Sequence, residues 1–161
     1  MDMTIPPASL EVRARHLISE YAYAIDNGEL SRWPGFFTDP CLYRITTRQN
    51  EDAKMPLSIM LCDNQAMLYD RVEAIEHANI FEPHYYRHML ADTRIVERRA
   101  DGLLTETGFL CVRTMLDGSM SVFAAGRYLD EIVADGDDCR FRSRKVVLDS
   151  SQVDTLIAIP L

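Results

Sequence analysis

Residues 98–148 read RRADGLLTETGFLCVRTMLDGSMSVFAAGRYLDEIVADGDDCRFRSRKVVL, and the dipeptide repeated in them decides the fold. Asp101-Gly102, Asp117-Gly118 and Asp135-Gly136 each separate apolar runs. Asp-Gly between such runs is a strong hairpin signal, because glycine readily supplies the positive φ of tight primed turns. The spacing predicts antiparallel strands over residues 91–100, 103–116, 120–134 and 139–148. In the last of them Cys139, Phe141 and Ser143 alternate with Arg140, Arg142 and Arg144, which predicts a core-like face and a cationic one. Gly108 and Gly126 fall inside strands, where glycine marks a bulge or bend.

Working back toward the N-terminus, the rhythm changes. Leu10, Ala14, Leu17, Ile18, Tyr21 and Ile25 recur at three- and four-residue intervals before Gly28, which predicts an amphipathic helix over 9–27 that Ser9 can cap. ELSRWPGFF, residues 29–37, offers a short helical turn interrupted by Pro34 and Gly35, with Trp33, Phe36 and Phe37 packing over the core. CLYRITTR, residues 41–48, reads as a strand. Asp63 stands at a capping position ahead of a helix over 64–79, whose Met67, Leu68, Val72 and Ile75 share one face. Helices followed by a long meander predict an α+β chain, with the N-terminal helices on the concave face of a curved antiparallel sheet that wraps them into a cone. At 161 residues one core suffices, and a single domain over 1–161 is expected.

Charge and composition exclude some functions. The chain carries 25 acidic and 17 basic residues, a net charge of −8 that repels phosphate backbones, so no nucleic-acid partner is expected. No apolar run long enough to span a bilayer occurs, and MDMTIPPASLEVR lacks the basic start and apolar stretch of a secretory signal. A cytoplasmic protein without membrane attachment is the expectation. Cys41, Cys62, Cys111 and Cys139 form no C-x-x-C pair and are expected as buried free thiols.

Chemistry concentrates in FEPHYYRHML, residues 81–90. On a helix His84 and His88 would share a face and hold a metal with Glu82 or Asp92, but Pro83 disfavours a helix running through. If the stretch is extended, His84, Tyr86 and His88 share one side. A second arrangement is acid/base work inside the cone by a caged Asp63 or Asp70 beside Tyr43 or His84. Arg71 could anchor an anionic ligand, or pair with a neighbouring carboxylate. No G-x-S-x-G, Walker-type loop or G-x-G-x-x-G is present.

Five stretches in order, GELSRWPGFFTDPCLYRITTRQN, PLSIMLCDNQAMLYDRVEAI, EPHYYRHML, CVRTMLDGSMSVFAAGRYLDEIV and RKVVLDSSQVDTLIAIPL, resemble the small, or beta, subunit of bacterial aromatic-ring-hydroxylating dioxygenases. Their details are similar to the branch acting on salicylate, anthranilate or terephthalate. The resemblance implies a cone of the nuclear transport factor 2-like (cystatin-like) class. It also implies assembly of three small with three large (alpha) subunits, the large subunit carrying the Rieske iron–sulfur cluster and the mononuclear iron. A Rieske centre needs paired cysteines and histidines, typically as C-x-H and C-x-x-H, and neither arrangement occurs here. No catalytic, cofactor or metal residue is therefore expected in this chain, whose part is assembly in the catabolism of a substituted benzoate. His84, Tyr85, Tyr86, Arg87 and His88 are candidates for subunit contact, since such side chains both pack and hydrogen-bond. Arg140, Arg142 and Arg144 are further contact candidates, with cross-strand carboxylates such as Glu131 as alternative partners. The competing reading is a stand-alone isomerase or dehydratase on the same cone.

Overall fold

Ser9 opens the first helix, its hydroxyl accepting the Val12 N–H at 3.4 Å. In the computed structural model, which describes residues 9–78, 81–152 and 157–161, helix α1 spans Leu10–Asp26 and buries Ala14, Leu17, Ile18, Tyr21, Ala24 and Ile25. Gly28, at φ +72°, turns the chain out of it. A 3-10 turn, Leu30–Phe36, follows, then strand β1 (Phe37–Thr47), the short helix α2 (Arg48–Asp52), strand β2 (Met60–Cys62) and helix α3 (Gln65–His77). The meander comprises β3 (His84–Arg98), β4 (Gly102–Met115), β5 (Met120–Asp135) and β6 (Asp138–Leu148).

The strands form one sheet in the order β2-β1-β6-β5-β4-β3, with α1 packed against β3 and β6. This is the cone of the nuclear transport factor 2-like class. The sheet is mixed rather than wholly antiparallel, because β1 runs parallel to β6 with Tyr43 opposite Arg144 and Ile45 opposite Val146. The other pairings are antiparallel. β3 begins at His84, seven residues ahead of the predicted 91, because the aromatic and apolar run after Pro83 extends directly into pairing with β4.

Glycine acts in two ways along the meander. Gly118 and Gly136 supply positive φ, +87° and +61°, in the turns that join β4 to β5 and β5 to β6. Gly102 does not; it lies where a Cβ would come within 2.1 Å of the Ile132 carbonyl oxygen. Gly126 is likewise a close approach, with the Val147 carbonyl oxygen at 2.1 Å from a built Cβ, rather than a bulge. Gly108 does sit at an irregularity, opposite the register shift between Leu90 and Thr93, and further shifts lie between Ile95 and Glu97, Cys111 and Val112, and Glu131 and Ile132.

Helix α3 starts one residue later than the sequence suggests. Asn64, not Asp63, caps it by accepting the Met67 N–H at 3.0 Å, while Asp63 accepts from the Asn64 amide. Inside the cone Tyr21, Trp33, Phe37, Tyr43, Tyr128 and Phe141 are fully buried. Such burial contributes about 1.5–3 kcal/mol per side chain. Trp33 meets Tyr43 edge-on at 5.0 Å, and Phe109 stacks on Tyr128 at 4.5 Å. Trp33, Phe36 and Phe37 thus pack as expected. The four cysteines are buried and free.

Candidate functional site

An acid/base centre in a cone fold would have to sit inside it, and here the interior is closed by aromatic rings and one ion pair. Arg144 reaches Asp130 with two bonds, Nε to Oδ1 at 2.9 Å and Nη2 to Oδ2 at 2.7 Å, and both side chains are 0% exposed. Its guanidinium lies 4.0–4.2 Å from the ring centroids of Tyr21, Tyr128 and Phe141. Burial pushes the Asp130 carboxyl above its usual range while Arg144 pulls it back. For Arg144 burial opposes the charge, but Asp130 outweighs it and the group stays protonated beyond its usual range.

Arg144 thereby corrects the alternation expected of the last strand. Glu131 pairs with Ser143 while the next residue, Ile132, pairs with Phe141, so Arg142 is an extra residue in β6. Beyond that bulge the sides exchange. Arg140 and Arg142 stay exposed, and Arg144 turns into the core, where it is not available to a partner. Arg140 pairs with Asp135 at 2.8 Å, and Arg142 with Asp101 at 2.6 Å and Glu131 at 2.9 Å. The Arg142 guanidinium holds the Asp101 carboxyl below its usual range. The cross-strand carboxylate named from sequence, Glu131, is therefore a partner of Arg142.

The caged acid/base pair is not assembled. Asp63 and Asp70 are exposed. The Tyr43 hydroxyl donates to the Leu161 carbonyl at 3.0 Å and accepts the Leu161 N–H at 3.0 Å. The Tyr21 hydroxyl donates to the same carbonyl at 3.0 Å and accepts from the Trp33 indole. Residues 157–161 thus close that end of the cone. Arg71 is spent on the same segment, donating to the carbonyls of Ile157 and Ala158 at 2.8 and 3.2 Å, rather than on an anion or a carboxylate.

FEPHYYRHML is extended, so its side chains part to two faces. His84, Tyr86 and His88 point inward, Tyr86 and His88 buried. Tyr85, Arg87 and Met89 are exposed on the outer face. The two imidazoles do not converge. The His84 Nδ1–H donates to the Glu82 carbonyl at 2.7 Å, and the His88 Nδ1–H donates to Asp26 Oδ1 at 2.6 Å. Asp92, one proposed third ligand, pairs with Arg15. Among the described residues no group of three His, Cys, Asp or Glu side chains is placed to hold a metal.

Asp26 is the residue that sequence reasoning missed. It ends α1, its side chain is 3% exposed, and its Oδ2 accepts the backbone N–H of His88 at 2.8 Å. That N–H belongs to an edge strand, so Asp26 occupies a donor that a foreign strand would otherwise use. A carboxylate in the last turn of a helix opposes the helix dipole, and that misfit was the available signal.

Comparison with known proteins places the chain among relatives along almost its whole length. Residues 20–155 match the family model of the ring hydroxylating beta subunit. The anthranilate 1,2-dioxygenase small subunit of Burkholderia cepacia is 41% identical over 145 residues, 90% of each chain. A terephthalate 1,2-dioxygenase terminal oxygenase beta subunit of a Comamonas species is 38% identical, covering 94% of this chain and 98% of that one. Among solved structures, the beta subunit described for an aromatic-ring-hydroxylating dioxygenase of Novosphingobium aromaticivorans superposes with a TM-score of 0.86. It is 31% identical and the match covers 94% and 96% of the two chains. A family match over most of the chain, relatives of this identity and a shared cone together make the chain a member of the ring-hydroxylating dioxygenase beta-subunit family.

Proposed function

We propose that this chain is the non-catalytic assembly subunit of a multicomponent oxygenase that works in the cytoplasm on a substituted benzoate of the anthranilate or terephthalate kind. The observation that carries the reading is the family match over residues 20–155, with curated relatives of the same length class from two aromatic-acid systems. The structure supports it by the way much of the interior is used: Arg144 is tied to Asp130, the His88 Nδ1–H to Asp26, and the Tyr21 and Tyr43 hydroxyls to the Leu161 backbone, while the buried Tyr128 hydroxyl has no hydrogen-bond partner among the described residues. The partner is the large (alpha) Rieske subunit, which holds the iron–sulfur cluster and the mononuclear iron, in an assembly of three large and three small chains. The contacts fall on exposed side chains such as Tyr85, Arg87, Arg140 and Arg142, with His84 at the margin.

The test is co-expression with a Rieske-type large subunit, capture through a tag on this chain, and iron analysis of both chains after separation. Co-elution in equal amounts with all iron on the large chain is the expected result. Failure to co-elute, or stoichiometric iron retained by this chain through gel filtration, defeats the proposal.

A further inference from the structure

Residues 157–161 enter the cone much as a ligand does, with a buried apolar part and one polar group read by the walls. Leu161 is fully buried in the core cluster, and Ile157 and Ala158 are buried beside it. The Leu161 carbonyl accepts from the Tyr21 and Tyr43 hydroxyls at 3.0 Å each, and its N–H donates to the Tyr43 hydroxyl at 3.0 Å. A second anchor is independent of the tyrosines: Arg71 of α3 donates to the carbonyls of Ile157 and Ala158.

The walls around Leu161 are aromatic and rich in donors. The Trp33 indole donates to the Tyr21 hydroxyl at 3.0 Å, which leaves that hydroxyl's own proton for Leu161. The Arg144 guanidinium stands 4.2 Å from the Tyr21 ring centroid and 4.0 Å from that of Tyr128. Among the described residues Arg144 Nη1 and the Tyr128 hydroxyl, both buried, have no hydrogen-bond partner. A buried donor left unpaired is costly, so the cluster favours an occupant with more acceptor capacity than one backbone carbonyl. A carboxylate, with two oxygens, has that capacity.

From these contacts we infer that the tyrosine end of the cone is a binding site for a small aromatic carboxylate with a hydrogen-bond donor next to the carboxylate, and that residues 157–161 occupy it in cis. When the segment withdraws, the carboxylate takes the place of the Leu161 carbonyl on Tyr21 and Tyr43. The neighbouring N–H or O–H of the ligand replaces the Leu161 N–H on Tyr43, and its ring fills the space of the Leu161 side chain. An apolar cavity of about 150 Å³ takes up a ring of that size. Ligand and segment exclude each other, so the apparent affinity of the full chain is the intrinsic affinity reduced by the fraction of molecules that are open.

The experiment titrates 2-aminobenzoate, with toluene as the apolar control, into the full chain and into a variant from which residues 157–161 are deleted. Binding is read by calorimetry and by the emission of Trp33, the only tryptophan in the sequence. The deletion variant is expected to bind 2-aminobenzoate at least about tenfold more tightly than the full chain. A folded deletion variant that gains nothing overturns the inference, and so does an equal gain for toluene, which would reveal an apolar cavity without a carboxylate site. Should the deletion variant fail to melt cooperatively, Arg71→Gln in the full chain decides, because it loosens the segment from α3 and leaves both tyrosines in place. It is expected to tighten binding by about threefold or more, and an unchanged affinity overturns the inference. Tyr43→Phe, added to whichever variant binds, is expected to lose about tenfold for 2-aminobenzoate and little for toluene. Undiminished binding of 2-aminobenzoate there overturns the placement of its carboxylate. None of these readouts involves the large subunit, so their failure leaves the assembly role standing.

Discussion

At the scale of single residues, Arg144 and Asp130 show how a charge survives in an aromatic core. The guanidinium is stacked among three rings and its charge is balanced by a two-bond carboxylate. Removing one partner leaves the other buried and uncompensated. Asp130→Asn is therefore expected to destabilise the fold by about 3–5 kcal/mol in urea unfolding, whereas Asp130→Leu combined with Arg144→Met loses much less than the sum of the single changes. A small loss in the single variant would mean that the pair is not holding the core. The thiols carry a second expectation. Burial, with the charge of Asp26 behind it, pushes Cys111 up to about 12 from its ordinary 9.0, and burial pushes Cys139 up to about 11. An acid whose folded value is raised contributes stability that is complete below the unfolded value and declines as pH climbs past it. Thermal midpoints should thus fall between about pH 9 and pH 12, with Cys111→Ala flattening part of that limb. An unchanged limb in that variant would assign the alkaline loss to other groups.

At the scale of elements, α1 is the guard of an edge. β3 is a fifteen-residue strand at the end of the sheet, and such an edge invites pairing with other chains. Glu11, Arg15 and Asp26 of α1 contact Arg98, Asp92 and His88 in turn, so the helix runs along that edge from one end to the other. Losing Asp26 strands two donors of His88 at once. Asp26→Ala is expected to cost about 1–3 kcal/mol and to speed hydrogen exchange in β3 more than in β5 or β6. Uniform acceleration across the sheet would show instead that Asp26 acts on global stability alone.

The same elements show what a chain announces locally and what it does not. The three Asp-Gly pairs mark every hairpin of the meander, because a turn is decided by adjacent residues. The 3.6-residue rhythm of α1 is equally local. The parallel pairing of β1 with β6 joins segments distant in sequence, and β2 is three residues long, too short for a pattern. Arg144 was misplaced because a bulge at Arg142 shifts alternation by one, and nothing in RFRSRK says which residue is surplus. HYYRH stood out for its chemistry, but an extended segment faces two ways, so its five residues were given one role although His84, Tyr86 and His88 point inward.

At the scale of the whole molecule, the cone packs its interior with aromatic rings around the Arg144–Asp130 pair. Residues 157–161 seal the end near Tyr21 and Tyr43, while large apolar side chains stay on the outer sheet face. That distribution suits a subunit whose contribution is made through its outside. The most direct test replaces the inward-facing polar groups and asks whether chemistry notices. His84→Asn with His88→Asn is introduced into this chain, the oxygenase is assembled with its large subunit, and turnover and iron are measured per assembled complex. Weaker assembly or a lower melting point, with turnover and iron per complex within about twofold of wild type, is the predicted outcome, because a twofold rate change corresponds to well under 1 kcal/mol of barrier. Assembly that stays intact while turnover or iron is lost would contradict it and place this chain's histidines in the catalytic machinery.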